Sequence, residues 1–209
     1  MFVHISYAQV PKSDTTNGHC PSRVVYGGKS YNTIKIGMQC WLKENLDVGT
    51  MIAGTTEQSN NSTLEKYCYD NDTANCSTYG GFYEWNEAMQ YTTSSDAQGI
   101  CPTGWHIPTN GEFQTLQTTV GNDGNALKAV GQDTGGGAGT NTSGFFALLS
   151  GYRLNLGYFL NVGYYTTFWS STEYDATYVY YLALYYNNSY IYFNIYNKAY
   201  GFSVRCLEN

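Results

Sequence analysis

The sequence predicts one α+β domain: two modest helices, then many short strands, with much irregular structure between them. Three observations predict it. Apolar residues recur at helical spacing in only two stretches, 82–91 and 109–120. From Phe145 on, apolar and aromatic residues come in short β-forming runs, and no proline follows Pro108. Six cysteines at wide spacings (Cys20, Cys40, Cys68, Cys76, Cys101, Cys206) suit cross-links within one compact unit.

The elements follow in order. Residues 24–38 form a hairpin, because an apolar run meets Gly27-Gly28 and an alternating run follows. Trp41, Leu42 and Leu46 sit in a short extended stretch behind Cys40. Residues 55–80 are polar and loop-like. The first helix occupies 82–91, with Phe82, Trp85, Ala88 and Met89 on one face. Pro108 stops a strand, and the second helix begins at Thr109, an N-cap whose capping box is completed by Glu112. Phe113, Leu116 and Val120 are its buried stripe. Residues 131–143 are a Gly- and Thr-rich loop. Strands follow at 146–149, 151–153, 168–171, 178–184, 190–195 and 202–206. No fixed-period repeat and no linker divides the chain. It reads as an N-terminal extension, 1–23, and a single domain, 24–209.

Composition excludes several function classes. Only 12% of the 209 residues are charged, so solubility rests on Asn, Thr, Ser, Gly and tyrosine hydroxyls, as in secreted and surface proteins. Hydrophobic content of 42% excludes disorder. A net charge of -6 with scattered Lys and Arg gives nucleic acid no stripe to track. No run of 18 apolar residues exists to span a membrane. The cysteines have no CxxC spacing and only His4, His19 and His106 beside them, which argues against zinc. An even count points to disulfides in an oxidising compartment, with buried free thiols as the alternative. Among fifteen connectivities, spacing favours Cys68–Cys76 and Cys101–Cys206 and leaves Cys20–Cys40. Residues 1–8 lack a basic start and are too short for a signal peptide. They read either as the remnant of one, with a processed junction at Ala8–Gln9, or as an N-terminal strand.

The strongest signal is tyrosine. Fourteen of the 22 tyrosines lie between Tyr152 and Tyr200, mixed with Asn, Ser and Thr. Paratopes have that composition: tyrosine gives a large rigid contact, and Ser and Asn give adaptable hydrogen bonds. A plain sheet face would also favour tyrosine. Yet Tyr178 and Tyr180 share one strand face while Tyr181 and Tyr185 take the other. Moreover, residues 150–197 contain no Lys, Gln or Met, one Glu (Glu173) and one Trp (Trp169). The ligand-binding set expected from this tract is Tyr158, Tyr164, Tyr165, Tyr174, Tyr178, Tyr180, Tyr181, Tyr185, Tyr190, Tyr192, Asn194, Tyr196 and Tyr200.

Catalytic readings are weaker. His106 has no partnering nucleophile motif, and a packed structural histidine is expected. Glu84 and Glu87 could pair for acid–base chemistry, but a solvated helix face is expected. Glu173 could bind calcium or a ligand, and a structural role is expected. Asp70, Asn71, Asp72 and Asp123 fit turn chemistry, without EF-hand spacing. Glycosylation triplets stand at Asn61, Asn71 and Asn141. No catalytic residue, metal or cofactor is expected, and calcium is not indicated.

Five segments then carry a resemblance: CWLKENL (40–46), YGGFYEWNEAM (79–89), GICPTGWHIP (99–108), FWSSTE (168–173) and GFSVRC (201–206). Together they closely resemble the Fibrobacter succinogenes major paralogous domain family, from about Val24 to Leu207. The resemblance implies a C-type lectin-like fold shared with formylglycine-generating enzymes, with two short helices and small antiparallel sheets. No reactive cysteine pair is recognisable, so no oxidase activity carries over. Some members resemble the variable proteins of diversity-generating retroelements, in which adenine-directed mutagenesis rewrites Asn codons near the 3′ end. Such codons cannot become Lys, Glu, Gln, Met or Trp, which matches the gap in residues 150–197. The resemblance implies a variable region at 154–200 held by a frame of Phe168, Trp169, Phe202, Val204 and the Cys101–Cys206 bridge. It implies a surface or extracellular protein that binds a protein or glycan on a cell or host surface; an invariant adhesin or envelope module that stacks polysaccharide on tyrosines is the alternative.

Overall fold

The computed structural model describes residues 20–132 and 135–209. The expectations for residues 1–19, among them the processed junction, His4 and His19, lie outside these residues. The chain opens with a hairpin of β1 (Arg23–Tyr26) and β2 (Lys29–Ile36). Gly27 and Gly28 turn it with φ of 56° and 75°, values that suit the tight hairpin turns glycine favours. Then come β3 (Gln39–Leu42), the two-residue β4 (Thr50–Met51) and β5 (Glu65–Lys66), and α1 (Thr73–Tyr79). β6 (Phe82–Tyr83), α2 (Trp85–Ala88), β7 (Trp105–His106), α3 (Asn110–Thr119) and α4 (Gly124–Leu127) follow. The last third is β8 (Ser150–Arg153), β9 (Phe159–Val162), β10 (Tyr165–Glu173), β11 (Tyr178–Tyr185), β12 (Ile191–Asn197), β13 (Phe202–Ser203) and β14 (Leu207–Glu208).

The architecture is α+β, as expected. A five-stranded sheet runs β1-β2-β3-β14-β7, and β4 pairs with β5. A second, seven-stranded sheet runs β12-β11-β10-β13-β6, with β8 on β10 and β9 on β8. Its centre is the antiparallel β10–β11 pair, with Phe168 opposite Leu182 and Trp169 opposite Tyr181.

The Thr109 capping box forms as expected: the Thr109 hydroxyl accepts from the Glu112 N–H, and Glu112 accepts from the Thr109 N–H. Phe113 and Leu116 are buried and Val120 is half-buried on the same side. Other expectations need correction. The first helix is shorter than 82–91, because Phe82 and Tyr83 pair with Ser203 and Phe202 as strand. Its four apolar residues are nevertheless all buried. The stretch 55–80 contains α1, capped by the Asp72 carboxylate on the Ala74 N–H. Its Thr- and Ser-rich sequence has poor helix propensity, and the cap and the Cys68–Cys76 bridge supply what propensity does not. Residues 146–149 are not a strand, and β9 and α4 were not anticipated.

The core divides in two across the large sheet. On one side pack Trp85, Trp105, Trp169, Tyr83, Met89, Val179, Tyr181 and Phe202. On the other pack Trp41, Phe113, Leu116, Leu127, Phe145, Phe168, Leu182 and Leu184. Each fully buried side chain of this size contributes about 1.5–3 kcal/mol. Two indole N–H groups find partners: Trp169 donates to the Tyr83 carbonyl and Trp85 to the Ser170 carbonyl, both at 2.8 Å, whereas the buried Trp41 N–H has none among the described residues.

The three bridges are Cys20–Cys40, Cys68–Cys76 and Cys101–Cys206, the pairing that spacing favoured. They close loops of very different size, with sequence separations of 8 for Cys68–Cys76 and 105 for Cys101–Cys206. Loop-closure entropy makes the longer one worth about 4.7 kcal/mol and the shorter roughly 2.5 kcal/mol. Equilibrium urea unfolding should show the Cys101→Ser/Cys206→Ser double variant losing about 2 kcal/mol more stability than the Cys68→Ser/Cys76→Ser one.

Candidate ligand-binding face

Twelve of the fourteen tyrosines of the tract fall in three groups of touching rings. The largest group is a continuous ladder of rings on the Trp169 side of the sheet. It starts at Phe202, stacked on Trp169 at 4.1 Å between centroids. Tyr152, Tyr181, Tyr196 and Tyr200 all contact Phe202, and Tyr196 meets Tyr200 edge-on at 4.5 Å. From Tyr152 the ladder climbs through Tyr165 to Tyr185, then Tyr192, then Tyr190. The steps mix edge-to-face, tilted and stacked rings, and such aromatic pairs add about 0.5–1.5 kcal/mol beyond area burial. The ladder grades from core to solvent: Tyr165 and Tyr181 are buried, Tyr185, Tyr196 and Tyr200 half-buried, and Tyr190 and Tyr192 exposed.

The second group is Tyr164 with Tyr186, ring centroids 5.0 Å apart, where the turn before β10 meets the turn after β11. The third is Tyr174 with Tyr180 at 5.8 Å, beyond the end of the Leu182 side. Tyr178 is exposed at the start of β11, and Tyr158 is 66% exposed in the loop before β9. Asn194 is exposed on β12 opposite Tyr181.

Two expected ligand-binding residues are therefore corrected. Tyr165 and Tyr181 are only 8% and 6% exposed and lie beneath the face. The Tyr165 hydroxyl donates to the Tyr181 hydroxyl at 3.3 Å, so each polar tip finds a partner inside the protein. Burial pushes both phenols up in pKa. Sequence parity separated Tyr178 and Tyr180 from Tyr181 and Tyr185 correctly, but mid-strand both faces are core: Val179, Tyr181 and Ala183 on one side, Leu182 and Leu184 on the other. Tyr152 and Tyr186 belong to the groups and were missed; their signal was simply membership of the same dense tract.

The turn joining β11 to β12 is held through its main chain. The Lys128 ammonium, fully buried, donates to the carbonyls of Tyr185 (2.7 Å), Asn188 (2.9 Å) and Gly137. The Gly124 N–H donates to the Ser189 carbonyl at 2.6 Å. The side chains of Tyr186 and Tyr190 point into solvent above this clamp. A lysine set in the apolar run ALKAV was its sequence signal.

Five of the charged candidates, Glu84, Glu87, Asp123, Glu173 and His106, are engaged. Glu87 is buried, against expectation: it accepts from the Glu65 N–H and from the Tyr91 hydroxyl, and desolvation raises its pKa. Glu84 accepts from Tyr67 and from Arg153, whose guanidinium lies over the Tyr67 ring. Glu173 pairs with Lys198, which sits over Trp85. Asp123 caps α4. His106 is buried, with Nδ1 facing Asn209 Oδ1 at 2.7 Å and Nε2 facing Glu112 at 3.0 Å. Among the described residues no group of three or more His, Cys, Asp and Glu could hold a metal ion. No helix among them is long and apolar enough to cross a membrane.

Residues 34–208 match the Fibrobacter succinogenes major domain. The chain belongs to that family. No curated protein and no solved structure matches it. In this member of the Fibrobacter succinogenes major domain family, the matched span takes in both cores except Tyr31 and the residues packed before it, along with the clamp and the whole tyrosine tract.

Two expected outcomes follow from this family member's geometry. Truncating Tyr181 to Ala removes a buried ring and should cost about 3–5 kcal/mol, whereas Tyr190→Ala, at 65% exposure, should stay within about 0.5 kcal/mol of the parent in chemical denaturation. The second concerns pH. Burial alone would lower the His106 pKa, but Glu112 outweighs it and the value ends above the ordinary 6.5. Burial likewise opposes Glu112, whose bonds from His106 and Thr109 leave its pKa lowered. The histidine's contribution is thus complete below about 6.5 and fades as pH rises through its raised folded value; the carboxylate's is present above its ordinary range and fades in acid. Unfolding free energy should decline as pH rises from the ordinary histidine value of 6.5 through the raised folded one, and Glu112→Gln should flatten that decline.

Proposed function

We propose that this protein is a non-enzymatic ligand-binding protein that presents a tyrosine-rich, variable surface on a C-type lectin-like scaffold, as a target of a diversity-generating retroelement. The observation that carries the reading is the pairing of exposed tyrosines with main-chain anchoring. Tyr158, Tyr164, Tyr174, Tyr178, Tyr190 and Tyr192 are exposed, while the β11–β12 turn is gripped by its carbonyls. Such a surface changes its side chains without changing its backbone. The ligand is a protein or glycan on a cell or host surface, engaged through a few aromatic anchors. Rigid backing by the sheet lowers the ordering cost of binding. Three disulfides support an extracellular or cell-surface setting.

One observation favours a second reading, an invariant adhesin or envelope module that stacks polysaccharide. The ladder from Tyr152 through Tyr165 and Tyr185 to Tyr192 is interlocked with the core, and variation at its lower rungs would break packing. On the first reading variation is confined to the exposed rungs. The nucleotide sequence around the gene separates the two. A near-identical repeat with Asn codons at positions 158, 164, 190 and 192, beside a reverse transcriptase gene, is the expected finding. A locus without such a repeat overturns the variable reading and leaves the invariant one.

A further inference from the structure

Away from the tyrosine tract, the surface carries a cavity of about 160 Å³. Its wall includes Tyr31, Lys43, Tyr79, Phe146, Leu148 and Arg205, and no residue of the Tyr152–Tyr200 tract. An engineered protein cavity of about 150 Å³ takes up benzene, so the space suits a body of that size.

The charge of the wall is unbalanced. Two carboxylates line it, and both are already engaged. Asp47 pairs with Lys29 and Lys66. Glu44 accepts from the backbone N–H and the side-chain amide of Asn32, each at 2.8 Å. Arg205, only 1% exposed, has no carboxylate bonded to it among the described residues. Its acceptors are neutral: Asn45 Oδ1, at 3.1 Å from Nε and 2.7 Å from Nη2, and the carbonyls of Leu42 and Phe145. Four bonds serve five N–H groups. Its faces rest against Phe145 and Phe168. Burial pulls its pKa down, with the nearby Glu44 charge opposing. A buried cation is ordinarily paired with an opposite charge.

The rim adds a second cation and a strained aromatic. Lys43 stands over the Phe146 ring at 6.0 Å, with no ion pair among the described residues. Phe146 holds a φ of 60°, in the left-handed region that a bulky side chain seldom adopts, and it is 40% exposed. Its N–H is tied to Asn141 Oδ1 at 2.9 Å, which keeps the ring at the cavity mouth. Strain of this kind gathers at ligand clamps.

We propose that this cavity binds a small organic anion: one carboxylate, set between Arg205 and Lys43, on an apolar body no larger than a benzene ring lying against Tyr31, Phe146 and Leu148. The site is separate from the tyrosine face and stands or falls without it.

Isothermal titration of the full chain with benzoate tests it, with benzyl alcohol as the uncharged counterpart. Benzoate should bind saturably at one site, and benzyl alcohol about tenfold more weakly or worse. Arg205→Gln removes the buried charge but endangers folding, so the half-buried Lys43 carries the mutational arm. Lys43→Ala should keep the melting temperature and weaken benzoate about tenfold. Leu148→Trp, which fills the space, should abolish binding while circular dichroism stays unchanged. Equal affinity for the two probes, an unaltered Lys43→Ala affinity, or no saturable heat with benzoate would each overturn the proposal.

Discussion

A single strand with core on both sides organises this molecule. β11 sends Val179, Tyr181 and Ala183 into the tryptophan cluster and Leu182 and Leu184 into the Trp41–Phe113 cluster. Both clusters draw on the β10–β11 pair, which also supplies Trp169 to the first and Phe168 to the second. Residue-by-residue register is therefore imposed from both directions: a one-residue slip would carry leucines to the tryptophan side and tyrosine to the helix side. Buried hydroxyls tie the same sheet to its neighbours, from Thr166 to Ser150, on to Ser203, and from Ser203 to Asn45.

The aromatic ladder is an extension of that core rather than an ornament on it. Its foot, Trp169 on Phe202, is interior, and its head, Tyr190, is in water. Side chains near the head rest on rings that are themselves immobilised. On the proposed ligand-binding reading, a ligand would meet a surface already ordered, and ordering is the usual cost of aromatic contact. Polar groups around the ladder are locked in the same way, with Arg153 spanning Glu84, the Gly54 carbonyl and the Ala199 carbonyl.

Much of this was legible in the sequence because local rules and tertiary context agreed. Gly27-Gly28, the Thr109–Glu112 box and the cysteine spacing each announced a local geometry, and each formed. Where tertiary context overrode local preference, the sequence was silent. α1 is poor in helix formers and stands on an N-cap and a bridge. Phe82 fits a helical stripe, yet a partner strand more than 100 residues away (Phe202–Ser203) claims it together with Tyr83. Within the tract, parity identified which tyrosines share a face but not which face is covered. That depends on Phe202, contributed by a strand with only two residues in the ladder. Glu87 looked solvent-facing because its acceptor role, toward Glu65 and Tyr91, is set by loops that periodicity does not see.

The grip on the β11–β12 turn has a mutational consequence. A Cβ on Gly137 would overlap the Tyr186 carbonyl oxygen, and one on Gly124 would lie 2.9 Å from that of Tyr190. Lys128 and Gly124 bond the turn through its main-chain carbonyls, atoms that every amino acid possesses. Permissiveness at one segment of the gene thus rests on strictness at another some fifty codons upstream. Lineages that alter the turn freely should keep Gly124, Lys128 and Gly137 unchanged.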